Sequence, residues 1–261
     1  MFMDWTFNYI AITNEVENAK ILDSCGIQQL MVDAENLGKA ERQAGKNAVI
    51  NFHQIEDVKK IKNIGLKAKI ICRINGFHNE IGDEIESAIG AGADILMLPM
   101  ILSLDNFKKM VKKIDARVEI LPLIETPYSI FKLKEIIEIA KPNQLHFGLN
   151  DLHLSLGMKN LFEILVSPLF AAAVSYTKSK VDLIGIGGIG DPFVKQKISP
   201  DLLINEFKIL GSQSTILSRS FFTQGYNHNR ILNSLNILEN LILGEQEQLK
   251  HIELIEHVEK F

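Results

Sequence analysis

The sequence predicts an α/β fold, a (β/α)8 TIM barrel of eight parallel strands with a C-terminal helical extension. Two patterns lead to it. Short apolar, β-rich runs alternate with amphipathic stretches, and eight such units fit in about 220 residues, the repeat a barrel of this kind requires. The runs are apolar on both faces, as strands of a helix-covered parallel sheet are. An open doubly wound sheet would place a Gly-x-Gly-x-x-Gly turn after its first strand, and the chain there reads Thr13-Asn14-Glu15-Val16.

In chain order, strands are expected over residues 7–12, 29–33, 68–74, 93–99, 118–125, 145–150, 183–187 and 215–219. Helices are expected over 15–24, 55–63, 80–91, 104–114, 129–140, 161–179 and 202–210. Ser103 stands as an N-cap ahead of Asp105 and Asn106, and Gly26, Gly65, Gly92 and Gly211 stand where helices end. The run from Gly185 to Gly190 follows the seventh strand. It reads either as backbone cradling a phosphate or carboxylate at the barrel mouth or as a tight turn.

Residues 1–226 are expected to form the barrel and 227–261 the extension. There Ile231, Leu235, Leu238 and Ile242 recur at helical spacing, Gly244 interrupts, and Leu249, Ile252 and Ile255 resume the pattern. One helix can close its own barrel. A helix reaching beyond it would bury its stripe only on a neighbouring subunit, so a homo-oligomer, trimer or hexamer, is expected.

Composition narrows the function classes. The 261 residues carry 28 Lys and Arg against 32 Asp and Glu, a net charge of −4, which argues against nucleic acid or a membrane surface as partner. The first residues lack a basic region and are interrupted by Asp4 and Asn8, so they do not read as a signal peptide. No apolar run reaches the roughly 18 residues of a membrane span. Cys25 and Cys72 lie in apolar stretches and read as buried thiols, consistent with a reducing cytoplasm.

In a barrel the chemistry stands at the C-terminal strand ends, and four of these are polar against expectation: Asp33-Ala34-Glu35-Asn36, Arg73-Ile74-Asn75, Glu125-Thr126 and Asn150-Asp151. Glu125 and Asp151 lie 26 residues apart, at equivalent ends of successive units. Parallel neighbours are about 4.8 Å apart, so both carboxylates can reach one cation, and oxygen ligands suit Mg²⁺ or Mn²⁺. Either residue could instead cap the following helix. Arg73 closes an apolar run, where its guanidinium would fork onto a substrate carboxylate or offset oxyanion charge, or would pair with Glu35 or another barrel carboxylate.

Asp33-Ala34-Glu35, Arg73-Ile74-Asn75, Leu123-Ile124-Glu125-Thr126 and Phe147-Gly148-Leu149-Asn150-Asp151-Leu152, in that order, resemble the HpcH/HpaI aldolase and citrate lyase β-subunit family of pyruvate and phosphoenolpyruvate barrels. The resemblance implies a divalent metal on Glu125 and Asp151. It further implies a small 2-oxo acid or acyl substrate bound by Arg73, Asn75, Thr126, Asn150 and Gly188, and carbon–carbon bond chemistry with Arg73, Glu35 and Asp33 as catalytic groups. Asn36 stands where the aldolase branch has a histidine, and an amide cannot act as a base. Glu35 through a metal-bound water, His53 and His78 are the alternatives. His146 and His153 receive no primary role. Lys39, Glu41 and Arg42 read as contacts to an anionic substrate arm or as a charged turn, and Arg219 as a contact to a substrate anion or a partner for a barrel carboxylate.

Two other functions compete with the lyase. A phosphoenolpyruvate-type phosphoryl transfer would resemble enzymes that carry a cysteine near the last strand, and residues 184–222 have none. A catalytically silent barrel that binds metal or 2-oxo acid is the other, motivated by Asn36.

Overall fold

The computed structural model describes residues 5–37 and 53–260. Eight parallel strands close into a barrel in sequence order: β1 (Asn8–Ile12), β2 (Gln29–Asp33), β3 (Lys69–Arg73), β4 (Ile95–Leu98), β5 (Glu119–Ile124), β6 (Gln144–Phe147), β7 (Leu183–Ile189) and β8 (Ser214–Leu217). β8 returns to pair with β1. The helices in chain order are α1 (Val16–Ser24), α2 (Ile55–Lys62), α3 (Ile81–Gly90), α4 (Leu104–Ile114), α5 (Pro127–Phe131), α6 (Leu133–Ala140), α7 (Leu149–Ser155), α8 (Pro168–Lys178), α9 (Pro200–Leu210), α10 (His228–Leu243) and α11 (Gln248–Glu259). The barrel predicted from periodicity is thus the fold observed.

Local chemistry explains the boundaries. Ser103 accepts the Asn106 N–H and starts α4, which buries Phe107, Met110 and Ile114 along one face. The helix expected over 129–140 is divided into α5 and α6, because Thr126 and Ser129 form a capping box around Pro127 and the chain breaks at Lys132. The helix expected from residue 161 begins only at Pro168, where Ser167 caps it by accepting the Phe170 N–H. The strand expected to reach residue 150 stops at Phe147, so Asn150 and Asp151 stand in the first turn of α7.

The core has two parts. Ile10, Met31, Ile71, Ile95, Met97, Leu121 and Leu123 fill the barrel interior, and a larger apolar layer lies between strands and helices. Cys25 and Cys72 are free and buried, and burial pushes their thiols up to about 11 and about 12.

The C-terminal residues complete this shell. α10 packs against α1 and α9, the position of an eighth barrel helix, and buries Ile231, Leu235 and Leu238. α11 packs on α9 with a face other than the one expected: Leu254 and Val258 are buried, whereas Leu249 and Ile252 are exposed. Polar anchors set its rotation. The Asn205 amide exchanges hydrogen bonds with the backbone of Glu247, and His251 Nδ1 lies 2.6 Å from the buried Glu206 carboxylate. Residues 251, 254 and 258 share one helical face, so docking His251 turns Leu254 and Val258 inward.

Asp191, fully buried beyond β7, takes an ion pair from Arg230 and a 2.9 Å hydrogen bond from Ser234, both on α10. Replacing Arg230 leaves that carboxylate without its cation. Arg230→Met is expected to cost about 3–5 kcal/mol in urea denaturation, and Asp191→Asn added to it to recover part of the loss. An unchanged midpoint in the single variant would contradict the role given to this pair.

Candidate active site

At the C-terminal ends of the strands lies a cavity of about 380 Å³, lined in part by Glu35, Arg73, Glu125, His146, Asn150, Asp151, Gly188 and Arg219. Its frame begins with the pairing of β2 and β3, which sets Asp33 directly across from Arg73. Arg73 donates from Nε and Nη2 to the two Asp33 oxygens at 2.8 and 2.7 Å, a bidentate fork, and Glu35 Oε2 lies 3.6 Å from Nε. Burial opposes the Arg73 charge, but Asp33, then Glu35 and Glu125, outweigh it and hold the guanidinium protonated well above its ordinary value. Asp33 is fully buried and Arg73 lines the cavity, so this carboxylate orients Arg73 at the cavity wall.

Glu125 follows β5 and is 3% exposed. Its Oε1 accepts the Met100 N–H at 3.0 Å, and Met100 holds a left-handed φ of 49° to present it. Gly76 lies against Met100, where a Cβ would stand 3.1 Å from the Met100 Cβ, a tight contact. Gly148, level with Glu125 across the β5–β6 pairing, has the same importance: a Cβ there would meet Glu125 at 2.9 Å. Loss of solvation, then the charges of Glu35 and Asp151, push the Glu125 carboxyl up to about 8.

β7 shapes the opposite wall. The glycine run expected as a cradle or a turn is strand as far as Ile189, with a bulge where Gly185 and Gly188 pair with Ser214 and Ile216. His146 fits beneath it, since a Cβ at residue 185 would stand 2.1 Å from its Nδ1. Its Nε2 lies 3.1 Å from the Gly187 carbonyl, and burial, with Arg73 adding to it, pushes the imidazole down to about 4. His146 is therefore a neutral donor at ordinary pH that fixes the bulge. Its signal in the sequence is its place on β6 opposite Gly185, the one residue type that leaves it room.

The expected site residues divide into two groups. Arg73, Glu35, Glu125, Asn150, Asp151 and Gly188 line one cavity, with Asp33 paired behind Arg73. Asn75 and Thr126 do not line it. Asn75 Oδ1 accepts the N–H groups of Asn36 and Leu37 while Nδ2 donates to Glu84, so its amide holds the loop after β2. Thr126 Oγ1 donates to the Ile101 carbonyl and accepts the Ser129 N–H. Of the three candidate bases only Glu35 faces the cavity. His53 accepts the Asp33 N–H at Nδ1 and lines a neighbouring cleft, and His78 is held 2.8 Å from Glu84. His153 bonds the Leu149 carbonyl within α7. Asn36 is exposed. Lys39, Glu41 and Arg42 lie outside the described residues. Leu161 and Phe162, which read as helix in the sequence, form part of the wall.

A divalent cation fits this donor set. Asp33 is already paired with Arg73, and burial of Glu125, with the charges of Glu35 and Asp151 adding to it, favours a proton on Glu125 that a cation would displace. Among the described residues no cluster of three or more His, Cys, Asp or Glu side chains stands ready to hold a metal by itself, so Glu125 and Asp151 would share the ion with water and substrate.

Residues 13–165, more than half of the chain, match the family model for HpcH/HpaI aldolase/citrate lyase. No curated protein matches the sequence. Among solved structures, an HpcH/HpaI aldolase/citrate lyase family protein from Burkholderia cenocepacia J2315 is 16% identical with a TM-score of 0.61, over 81% of this chain and 88% of that one. An HpcH/HpaI aldolase from Desulfitobacterium hafniense DCB-2 is 14% identical with a TM-score of 0.57, over 82% and 86%. At such identities these likenesses carry the fold.

The raised Glu125 has a consequence for metal-free protein. The unfolded carboxyl ionises near its ordinary 4.5 while the folded one keeps its proton to about 8, so the group costs stability progressively from pH 4.5 to 8. Glu125→Gln is expected to match wild type near pH 4.5 and to exceed it by several degrees in melting temperature at pH 8.5 without divalent ions. A pH-independent difference would contradict the assignment.

Proposed function

The chain belongs to the HpcH/HpaI aldolase/citrate lyase family, a family of lyase type, and from that premise we propose that it makes or breaks a carbon–carbon bond beside the carbonyl of a 2-oxo acid or related acyl substrate, with Mg²⁺ or Mn²⁺ on Glu125 and Asp151. The observation that carries the reading is the convergence of Glu35, Glu125 and Asp151 on one cavity whose nearest guanidinium is already neutralised by Asp33.

A bound divalent ion would supply Lewis acidity toward the substrate's oxo group. The chain's own residues do the rest. Arg73, fixed by Asp33, lines the cavity, where it offsets the negative charge that develops on the enolate oxygen. Glu35 is the proton carrier. In the cleavage direction the substrate hydroxyl gives its proton to the Glu35 carboxylate as the carbon–carbon bond breaks. The bonding pair passes into the oxo group as an enolate and the aldehyde leaves. The enolate carbon then takes the proton back from Glu35, which restores the carboxylate. Gly188 backbone and the Asn150 amide border the space for the substrate carboxylate, and Leu161 and Phe162 exclude water on the far side.

Deuterium exchange into the methyl group of pyruvate tests this half-reaction without knowledge of the second fragment. Exchange is expected with Mg²⁺ or Mn²⁺, to be lost on chelation, and to fall by about 10²-fold or more in Arg73→Ala and Glu125→Ala. Absence of exchange with any divalent metal would leave a barrel that binds without catalysing and would overturn the lyase reading.

A further inference from the structure

The pairing of β2 with β3 ends at Asp33 and Arg73, and beyond it a side chain keeps the two segments joined. Asn75 is buried, and its Oδ1 accepts the Asn36 and Leu37 N–H groups at 2.9 and 2.8 Å. Those two residues follow Glu35 directly, so the amide fixes the backbone on which Glu35 stands. It can do so only with its oxygen turned toward the β2 side, because the flipped amide would set its NH2 against two further donors. Glu84, in the first turn of α3, decides that orientation. Its Oε1 accepts the Asn75 N–H at 2.8 Å and Nδ2 at 3.0 Å, and its Oε2 lies 3.1 Å from Nδ2 and 2.8 Å from His78 Nε2. An ionised carboxylate has acceptors alone, so it can face only the NH2 side of the amide. His78 Nδ1 accepts the Glu80 N–H, which leaves the ring proton on Nε2, directed at Glu84.

We propose that Glu84 is a positioning residue for the proton carrier: acting through the Asn75 amide, it holds the segment after β2 so that Glu35 stays at the cavity, with Oε2 3.6 Å from Arg73 Nε. Glu84 itself is not among the residues that line the cavity. Two ties thus flank Glu35 along the chain. The fork between Arg73 and Asp33 precedes it and sets the guanidinium, and the Asn75 amide follows it and sets the carboxylate. Loosening the second tie frees Glu35 while Arg73, Glu125 and Asp151 keep their own partners and places. The inference rests on the lyase reading for the role of Glu35 and adds the residue that keeps it in place.

Three measurements on the full chain test it: amide hydrogen exchange over the peptide that contains Asn36 and Leu37, deuterium exchange into pyruvate with Mn²⁺, and calorimetry of Mn²⁺ binding. In Glu84→Ala the protection of that peptide is expected to fall about tenfold or more. The rate of exchange into saturating pyruvate is expected to fall about 10²-fold, the cost of a displaced proton carrier. The half-saturating pyruvate concentration and the Mn²⁺ affinity are expected to stay within about threefold of wild type, a split that a loss of fold stability alone would not produce. Glu84→Gln keeps an acceptor oxygen for the Asn75 N–H and Nδ2 and is expected to lose only about tenfold in rate. If Glu84→Ala does not fold, the same readouts on Glu84→Gln decide. Unchanged amide protection, an unchanged saturated rate, or Mn²⁺ binding lost along with the rate would overturn the proposal while leaving the lyase reading in place. No exchange into pyruvate by wild type with any divalent metal would overturn both.

Discussion

The fork between Arg73 and Asp33 is the contact on which the rest of the mouth depends. It joins β2 to β3 at matching register positions, deep enough that neither charge could stand alone. Because Nε and Nη2 are both engaged by Asp33, Arg73 is held in one orientation at the cavity wall. Arg73 is thereby committed first to Asp33, and Glu35 and Asp151 stand near enough to Glu125 for their charges to act on it. Burial first, then the charges of Glu35 and Asp151, raises Glu125, and the fit of a divalent ion follows from the same buried, like-charged setting.

Glycine gives the arrangement its space. Gly148 lets Glu125 lie across β6, Gly76 leaves room beside Met100, whose N–H steadies Glu125, and Gly185 admits His146 beneath β7. None of these glycines is needed for a barrel as such. Each stands where a side chain would collide with a group of the site, so the site and the strand ends share one set of constraints.

Much of this was legible in the sequence because it depends on period and on residue type. Alternation of apolar strands and helices located all eight barrel strands, and polar residues at otherwise apolar strand ends pointed to Glu35, Arg73, Glu125 and Asp151, which the fold brings to one cavity. What was not legible depends on where individual hydrogen bonds go. Asn75 and Thr126 have the same polarity as binding residues, yet their atoms are taken up by local backbone, which no spacing reveals. Asp151 sits in a helical turn because Gly148 ends the strand early, and α11 faces inward with Leu254 because His251 finds Glu206, a partner 45 residues distant.

The central claim is that the carboxylates at the barrel mouth hold one divalent ion and that Glu125 must lose a proton to do so. Calorimetry of Mn²⁺ binding in buffers of different ionisation enthalpy measures both at once. One ion per chain is expected, with affinity rising toward pH 8 and close to one proton released below that pH, the release disappearing in Glu125→Gln together with most of the affinity. Mn²⁺ binding that releases no proton, or that is as tight in Glu125→Gln as in wild type, would contradict it.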